Sequence, residues 1–316
     1  MMTIGICMIV RDAASTLRRA LRSCTFASQI VVVDTGSIDN SPSIALQCGA
    51  ELHFLPWRDN FSFARNYALR LMRTTWVVQL DADEYIEQPD LWKEYMSTIH
   101  EQQAIGGARI ILFNSLESGE IEHHHTYTRL FRHHHAFHYE GAIHEQIAPS
   151  IEKAGFSITE LPLRIIHTGY EEINQKKYER NAAILASELL EKPDDPFLHY
   201  HAGNTAFALS DHARAREHFV KAYQAQELSN LQHDMIRMRL AQIAIAQSEY
   251  AVAHSYVQES SADTDIEGLR YYLLASLFAI EGKYREAHDA FHRSVSSPLV
   301  NSQTVAEFIE QLRTLT

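Results

Sequence analysis

The sequence predicts an α/β domain with a doubly wound, mostly parallel sheet, followed by a domain built only of helices. Three observations lead to this prediction. Short apolar runs alternate with amphipathic segments through the first half of the chain. One of those runs, residues 76–80, stops at three acids, Asp81, Asp83 and Glu84. The last third repeats small and aromatic residues at the period of a helical hairpin array.

Composition narrows the class of protein. The 316 residues suffice for two domains, and 46% hydrophobic and 22% charged residues are typical of a globular chain. A formal charge of −12 argues against a nucleic-acid or anionic-membrane binder. Three scattered cysteines indicate reduced thiols. The apolar run at residues 4–10 reads as a strand and not as a signal peptide, and no run has the about 20 apolar residues of a membrane span. We therefore expect a cytoplasmic protein without a transmembrane segment.

The first half alternates predicted strands and helices. Strands are expected at residues 3–10, 29–33 and 50–55, with helices at residues 16–24 and 42–48 between them. Parallel strands need such crossovers, which are right-handed. Their carboxyl ends meet at one edge of the sheet, where ligands bind in folds of this class.

Acids follow two of these strands. Asp34 ends the second strand and precedes a Gly36 turn, where a carboxylate can accept a hydrogen bond from a base or a ribose. The Asp81-x-Asp83 pair places two oxygen ligands on one side of an extended backbone, which suits Mg²⁺ or Mn²⁺. Each motif alone is also explained by a polar turn, but the two together favour a nucleotide and metal site.

Four blocks in order resemble the family 2 glycosyltransferases of GT-A fold, whose sheet is Rossmann-like. The blocks are Ile-Gly-Ile-Cys-Met-Ile-Val-Arg-Asp at 4–12, Val-Val-Asp-Thr-Gly-Ser-Ile-Asp at 32–39, Asn-Phe-Ser-Phe-Ala-Arg-Asn at 60–66 and Leu-Asp-Ala-Asp-Glu at 80–84. The chain is similar to bacterial members that carry tetratricopeptide repeats after the catalytic domain, a group that includes bacteriocin S-glycosyltransferases. The resemblance implies a nucleotide-sugar donor, UDP-linked, a divalent metal and inversion at the anomeric carbon.

The resemblance also implies which residues bind the nucleotide. Asp34 would hold the base or ribose, Asp39 would cap a helix or make a second nucleotide contact, and Asp81 would face the ribose. Many relatives have a second acid at Thr35, so the position that contacts the base stays open. The complete implied set is Ile9, Arg11, Asp34, Asp39, Arg65, Asn66 and Asp81. For Arg65 the alternative is an ordinary surface residue of an amphipathic helix.

Metal and catalytic roles follow from the same resemblance. Asp83 would bind the metal, which stabilises the charge that develops on the leaving diphosphate, and His167 would complete the metal shell. A core or capping role is the alternative for His167. An inverting enzyme needs a base for the acceptor, and Glu145 is the candidate, with Glu140 next. A structural ion pair is the alternative for Glu145.

Further elements are predicted up to residue 170. A helix is expected at residues 89–100 and strands at 107–113 and 127–132. Residues 137–147 alternate like a strand, and an apolar strand ends at His167. The histidine runs at 123–125 and 133–135 lack zinc-site spacing and are expected in exposed loops.

The second half is predicted to be helical. A helix at 172–191 ends before Pro193 and Pro196, after which three helix pairs and a capping helix at 305–315 are expected. Ala215, Ala253 and Ala287 recur 38 and then 34 residues apart, close to the tetratricopeptide period of about 34. The expected domains are 1–170, a connecting helix and linker at 171–195, and 196–316. Stacked repeats bind extended peptides or pair with a second copy.

Two functions compete. The first is a metal-dependent glycosyltransferase that acts on a protein, peptide or glycan. The second is a catalytically inactive repeat scaffold that binds peptide partners, which the set of retained acids in the first half argues against.

Overall fold

A computed structural model of the chain describes residues 2–115, 121–168, 175–295 and 297–313. The chain divides into two compact units, Met1–Ile173 and Asn174–Thr316. The predicted linker and domain limits stay a prediction, and the sequence around residue 170 lies outside the described residues.

The described part of the first unit alternates strands with short helices, as the apolar runs predicted. Its elements are β1 (Ile4–Val10), α1 (Leu17–Arg22), β2 (Gln29–Asp34), α2 (Ser41–Gln47), β3 (Glu51–Phe54), α3 (Phe61–Arg70), β4 (Trp76–Gln79), β5 (Glu84–Ile86), α4 (Pro89–His100), β6 (Ile105–Ser115), β7 (Ile121–Arg132), α5 (Ala148–Lys153) and β8 (Ser157–His167).

The strands form one mixed sheet in the order β3-β2-β1-β4-β7-β6-β8-β5. β3, β2, β1 and β4 are parallel neighbours, whereas β7 pairs antiparallel with both β4 and β6. The predicted α/β fold is therefore confirmed. Because β1, β2 and β4 run the same way, their carboxyl ends lie along one edge of the sheet, next to β7.

Both faces of the sheet are covered. Side chains alternate along each strand, so Trp76 and Val78 of β4 face one side, together with Trp92 of α4. Val77 faces the other side, where it packs in one cluster with Phe131. All five of these residues are fully buried. Burial on both faces explains why the central strands are continuous apolar runs.

Two local predictions were wrong. Residues 123–125 lie in β7 and pair with β6, so this histidine run is part of a strand and not of a loop. Residues 137–147 form no strand, since their backbone pairing is a single bridge between Glu140 and Gln146. An alternating pattern becomes a strand only where a partner strand is available, and this segment has none.

The described part of the second unit is entirely helical, with helix pairs in the predicted order. Its elements are α6 (Gln175–Glu191), α7 (Pro196–Ala208), α8 (His212–Tyr223), α9 (Asn230–Ala246), α10 (Tyr250–Val257), α11 (Thr264–Ile280), α12 (Tyr284–Ser294) and α13 (Ser302–Arg313). Within the described residues, no helix of the chain combines the length and apolar character that crossing a membrane would require.

The repeat positions form the core of this unit. Ala215, Ala253 and Ala287 are fully buried, which lets neighbouring helices approach closely. Gly203 of α7 lies against the buried ring of Phe219, and a Cβ atom at Gly203 would come within 2.6 Å of that ring. The recurring small residues are therefore explained by helix packing, as in tetratricopeptide-like arrays.

Candidate active site

Asp34 stands at the carboxyl end of β2, beside Val10 at the end of β1. Its Oδ1 accepts hydrogen bonds of 2.9 Å from the backbone N–H groups of Gly36 and Ser37, which closes a turn. Gly36 has a φ of 112°, a conformation that favours glycine. The other oxygen, Oδ2, is buried and has no hydrogen-bond partner among the described residues. Asp34 thus keeps one acceptor unused at the edge of the sheet.

The loops after β1 and β2 are bound to each other. Asp39 accepts from Ala14 N–H at 2.9 Å and from Ser41 N–H at 2.8 Å, so its carboxylate joins both loops. These contacts lower the pKa of Asp39, chiefly through the Ser41 hydroxyl. Of the predicted pocket residues at the end of β1, Ile9 is partly buried and Arg11 is exposed. The loops form a fixed rim around Asp34.

Arg65 connects two of the predicted site acids. The Asn60 side chain accepts from Phe63 N–H at 2.7 Å and starts α3, which places Arg65 one turn inside the helix. Its Nη2 donates to Asp81 at 2.9 Å and its Nε donates to Glu145. The side chain is only 9% exposed, so Arg65 is not the surface residue that was the alternative.

Arg129 of β7 completes this network, although no sequence pattern predicted a role for it. Its Nη2 donates to Glu84 at 2.8 Å and to Asp81 at 3.2 Å, and its Nη1 donates to Gln79. The β6–β7 register shifts at this point: Ala108 pairs with Leu130 and Arg109 with Thr128, which leaves Arg129 as an extra residue. Such bulges often turn a side chain toward a functional site.

The network carries three carboxylates and two guanidinium groups. Burial disfavours the charged form of Asp81, but Arg65 and Arg129 outweigh this effect and hold its pKa well below its usual range. Burial raises the pKa of Glu84 to about 7, against the opposing effect of Arg129. Asp81 is consequently a fixed, ionised acceptor at the end of β4.

Asp83 and His167 form a second group beside the network. Asp83 Oδ2 lies 3.2 Å from His167 Nε2, and His167 Nδ1 lies 3.1 Å from Oδ1 of buried Asn114. If Nδ1–H donates to Asn114, the Nε2 lone pair faces Asp83. Burial opposes protonation of His167, but Asp83 outweighs it and raises the pKa. The Asp83 carboxylate and the His167 imidazole, whose other nitrogen contacts Asn114, are arranged like two of the ligands of a metal ion.

These two side chains fit a divalent ion whose other ligands come from a substrate or from water. Groups of three or more histidine, cysteine or acidic side chains suited to a metal do not occur among the described residues. Mg²⁺ and Mn²⁺ are often held by one or two protein ligands together with substrate phosphates. The donor set is compatible with such an ion, and Asn114 is the supporting residue that the sequence did not indicate.

Asn66 and Glu145 meet in a tightly held loop. The Asn66 amide donates to the carbonyl of Tyr139 at 2.9 Å and accepts from its N–H at 2.8 Å. Glu140 and Gln146 then exchange two backbone hydrogen bonds of 3.0 and 3.1 Å, which closes the five residues between them. Glu145 is the acid of this loop that reaches Arg65. In the structure Asn66 therefore holds the loop, and its predicted contact with a nucleotide stays a prediction.

Glu140 has different surroundings from Glu145. Its side chain is 49% exposed and lies 3.0 Å from the exposed imidazole of His138. The Glu145 side chain is 11% exposed and is paired with Arg65. The ion pair that was the alternative for Glu145 is present, and a catalytic role for either acid stays a prediction.

The comparisons with known proteins concern the family that the first unit resembles. Residues 5–151 match the model described as glycosyl transferase family 2. This match spans most of the first unit, which is similar to family 2 glycosyltransferase domains. This match covers β1 to β7, and so includes every strand that ends at the candidate site except β8.

Two curated relatives extend beyond this domain. A tetratricopeptide repeat-containing protein of Synechococcus elongatus is 32% identical over 208 residues, which is 63% of this chain and 51% of that protein. The glycosyltransferase SunS of Bacillus phage SPbeta is 25% identical over 249 residues, 74% of this chain and 56% of SunS. The chain thus spans about half the length of the curated relatives it matches.

Solved structures are more distant. TarS 1–349 of S. aureus superposes with a TM-score of 0.41 at 13% identity, over 98% of this chain and 92% of that chain. Glucosyl-3-phosphoglycerate synthase of Mycobacterium tuberculosis, in complex with Mn²⁺, UDP and phosphoglyceric acid, superposes with a TM-score of 0.41 at 13% identity, over 58% and 76%. At TM-scores this low, the superpositions give no information about the roles of the site residues.

Proposed function

We propose that the chain transfers a sugar from a nucleotide-sugar donor, UDP-linked, to a protein, peptide or glycan acceptor with the help of Mg²⁺ or Mn²⁺. The observation that supports this proposal best is the contact between Asp83 and His167 next to the Arg65–Asp81 pair. Asp83, Arg65 and Asp81 lie within the residues that match the family 2 model, and His167 lies beyond them. This arrangement combines a half-complete metal shell with a fixed carboxylate at the strand edge where nucleotides bind in α/β folds. The name of SunS as a glycosyltransferase agrees with this activity.

Each part of the edge has a role in this proposal. Asp34 receives the base or ribose through its unused Oδ2 within the rim that Asp39 holds. Ile9 and Arg11 flank this pocket from the end of β1. Asp81 faces the ribose, because Arg65 fixes the direction of its carboxylate. Nucleotide binding thus uses groups that are positioned before the donor arrives, which avoids the cost of ordering them.

Asp83 and His167 would hold the metal ion. When bound, such an ion stabilises negative charge on the diphosphate leaving group. Asn114 keeps the His167 ring in the orientation that aims Nε2 toward Asp83, and Thr168 N–H donates to the Asp83 carbonyl at 3.0 Å. These contacts restrict both ligands, as supporting residues do in metal sites.

Acceptor activation is assigned to Glu145. In an inverting transfer a carboxylate removes the acceptor proton while the acceptor attacks the anomeric carbon. The closed loop and Arg65 hold the Glu145 carboxylate beside Asp81, whereas Glu140 pairs with His138 at the surface. We therefore prefer Glu145 as the base and retain Glu140 as the alternative.

A repeat scaffold without catalysis is the second candidate. The observation that favours it is the Synechococcus relative, whose name gives repeats and no activity. In either case the helical unit would bind a partner or pair with a second copy. The proposed site of action is the cytoplasm.

The test is release of nucleoside diphosphate from a panel of nucleotide sugars, with and without Mn²⁺, in the presence of candidate acceptors. The transferase proposal expects metal-dependent release from one donor and a strong loss of that release in Asp83→Asn. Arg109→Met is the control and should release as much as the wild type, because Arg109 is exposed and lies 3.8 Å from the exposed Glu160. Glu145→Gln should lower the rate by about 100-fold or more and Glu140→Gln much less. Absence of release with every donor, combined with peptide binding, would favour the scaffold. Equal loss in both glutamine variants would remove the assignment of Glu145.

A further inference from the structure

A surface cavity of about 470 Å³ lies in the helical unit, where α8 ends and α9 begins. Tyr223 is the last residue of α8, Asn230 is the first residue of α9, and Glu259 follows α10. All three line the cavity together with Arg237, which is the most buried of the lining residues at 5% exposure. Binding sites for small molecules have volumes of about 300–1,000 Å³, so the cavity has the size of such a site.

The buried end of the cavity is held in place by Arg237. Its Nη2 donates to Asp234 Oδ1 at 2.5 Å, and its Nη1 donates to the carbonyl oxygen of Glu259 at 3.1 Å. Ser261 Oγ donates to the other Asp234 oxygen, Oδ2, at 2.6 Å. The polar groups at this end are therefore positioned before a ligand arrives, which lowers the cost of ordering them on binding.

The charges of the cavity favour a neutral ligand. Arg237 lies 2.5 Å from Asp234 and 3.5 Å from Glu259, so one positive charge faces two negative charges. This balance disfavours an anion. Both carboxylates are already paired with the arginine, and the described part of the chain has no group of three or more side chains suited to a metal ion. A neutral, polar molecule fits these charges better than an ion does.

The remaining lining residues offer an aromatic ring and several amides. Tyr223 is 39% exposed, and its ring centre lies 5.7 Å from that of His233 at an interplanar angle of 65°. The face of an aromatic ring is negative and attracts the polarised C–H groups of a sugar ring. Amide side chains both donate and accept hydrogen bonds, as sugar hydroxyls do. The exposed amides that line the cavity are Gln224, Gln226 and Asn230.

We propose that this cavity binds a neutral pyranose unit of a glycan, with the sugar ring against Tyr223 and the hydroxyls against Gln224, Gln226 and Asp234. A pyranose combines a face of C–H groups with a rim of hydroxyls, and the cavity offers a partner for each. The proposal concerns carbohydrate binding by the helical unit and does not rest on sugar transfer by the first unit. Its failure would leave the proposed transferase activity untouched, and loss of that activity would leave this site intact.

The test is saturation-transfer difference NMR on the full chain, without nucleotide sugar or metal. The probes are the methyl glycosides of glucose, galactose, mannose and N-acetylglucosamine. We expect at least one glycoside to bind with a dissociation constant of about 1 mM, which is the range of a small ligand held by a few hydrogen bonds. Its binding should weaken by about fivefold or more in Tyr223→Ala and stay close to that of the wild type in Tyr223→Phe, which keeps the ring.

Tyr284→Ala is the matched control. Tyr284 is 36% exposed at the start of α12, outside the residues that line the cavity, so this variant should bind as the wild type does. Sorbitol, which lacks a ring, and glucose 6-phosphate, which is an anion, should bind more weakly than the best glycoside. Circular dichroism checks that each variant is folded, and Tyr223→Leu replaces Tyr223→Ala if the alanine variant is unfolded.

Four results would overturn the proposal. The first is that no glycoside binds the wild type. The second is that binding survives in Tyr223→Ala, which would place the sugar elsewhere. The third is an equal loss of binding in Tyr284→Ala. The fourth is tighter binding of sorbitol or of glucose 6-phosphate than of every glycoside.

Discussion

Replacing Arg129 by methionine should destabilise the first unit far more than an ordinary surface substitution. Methionine keeps the length of the aliphatic stem and removes the guanidinium. Glu84, which is 2% exposed, would then lose its arginine, and Asp81 would keep only Arg65. Three buried or half-buried carboxylates would face one positive charge, where the native network has two.

The magnitude follows from that imbalance. Removing one partner of a buried ion pair costs about 3–5 kcal/mol, because the other charge stays buried without compensation. With a urea dependence of about 2 kcal/mol per M, a loss of about 4 kcal/mol lowers the unfolding midpoint by about 2 M. Arg109→Met on the neighbouring strand removes an exposed pair of 3.8 Å and should cost less than about 1 kcal/mol.

Tryptophan fluorescence measures this effect in the first unit alone. The three tryptophans of the chain are Trp57, Trp76 and Trp92, so none belongs to the helical unit. Urea unfolding followed by their emission should show a much larger shift for Arg129→Met than for Arg109→Met. Adding Glu84→Gln to Arg129→Met should recover part of the loss, because it removes the uncompensated charge. Equal unfolding midpoints for the two methionine variants would refute the reasoning. A double variant that unfolds at a lower urea concentration than Arg129→Met would refute it as well.

Three further predictions concern the loop and the helical unit. Asn66→Leu leaves the Tyr139 backbone groups unpaired and should lower the free energy of unfolding by about 2 kcal/mol, measured by tryptophan fluorescence. An unchanged free energy of unfolding would show that other contacts hold the loop. Gly203→Ala places a Cβ 2.6 Å from the Phe219 ring and should cost about 1–3 kcal/mol in urea unfolding followed by circular dichroism; a stabilised variant would contradict the packing. His199 Nδ1 and His218 Nδ1 lie 2.9 Å apart, and burial followed by the His199 charge lowers the His218 pKa below 6.5. Below about pH 6.5 the unfolded chain then binds more protons than the folded chain, so the free energy of unfolding falls as the pH is lowered through that value. Circular dichroism melts at pH 7.5 and 5.5 should show a smaller loss of melting temperature in His218→Asn than in wild type. Other charges that act on His218 are Glu217, Lys221 and Arg214.

The sequence predicted the parts of the site that depend on local pattern. Asp34, Asp81 and Asp83 are recognisable because each follows a short, β-branched apolar run of the kind that forms a buried strand. The predicted order of strands and helices over residues 3–55 was right for the same reason, whereas the strand predicted at residues 137–147 does not form. The repeated alanines were equally visible, since a small residue that recurs at a fixed period is recognised from the sequence alone.

The remaining parts depend on contacts between distant segments. Arg129 enters the site through a bulge, which arises from the pairing of β6 with β7 and leaves no mark in a single strand. Asn114 contacts His167, 53 residues further along the chain, and Asn66 contacts Tyr139, 73 residues away. Polar residues of this kind have many possible roles, and only the fold selects one of them.

Calorimetric titration of nucleoside diphosphates, with and without Mn²⁺, tests the central claim most directly. The wild-type chain should bind one of UDP, GDP and CDP with Mn²⁺ present. Asp83→Asn should weaken this binding by removing a metal ligand, and Asp34→Asn should weaken it with and without Mn²⁺ by changing the base contact. Arg109→Met should bind as the wild type does. Binding of no nucleotide, or binding that neither Mn²⁺ nor the two variants change, would contradict the assignment of this edge of the sheet as a nucleotide and metal site.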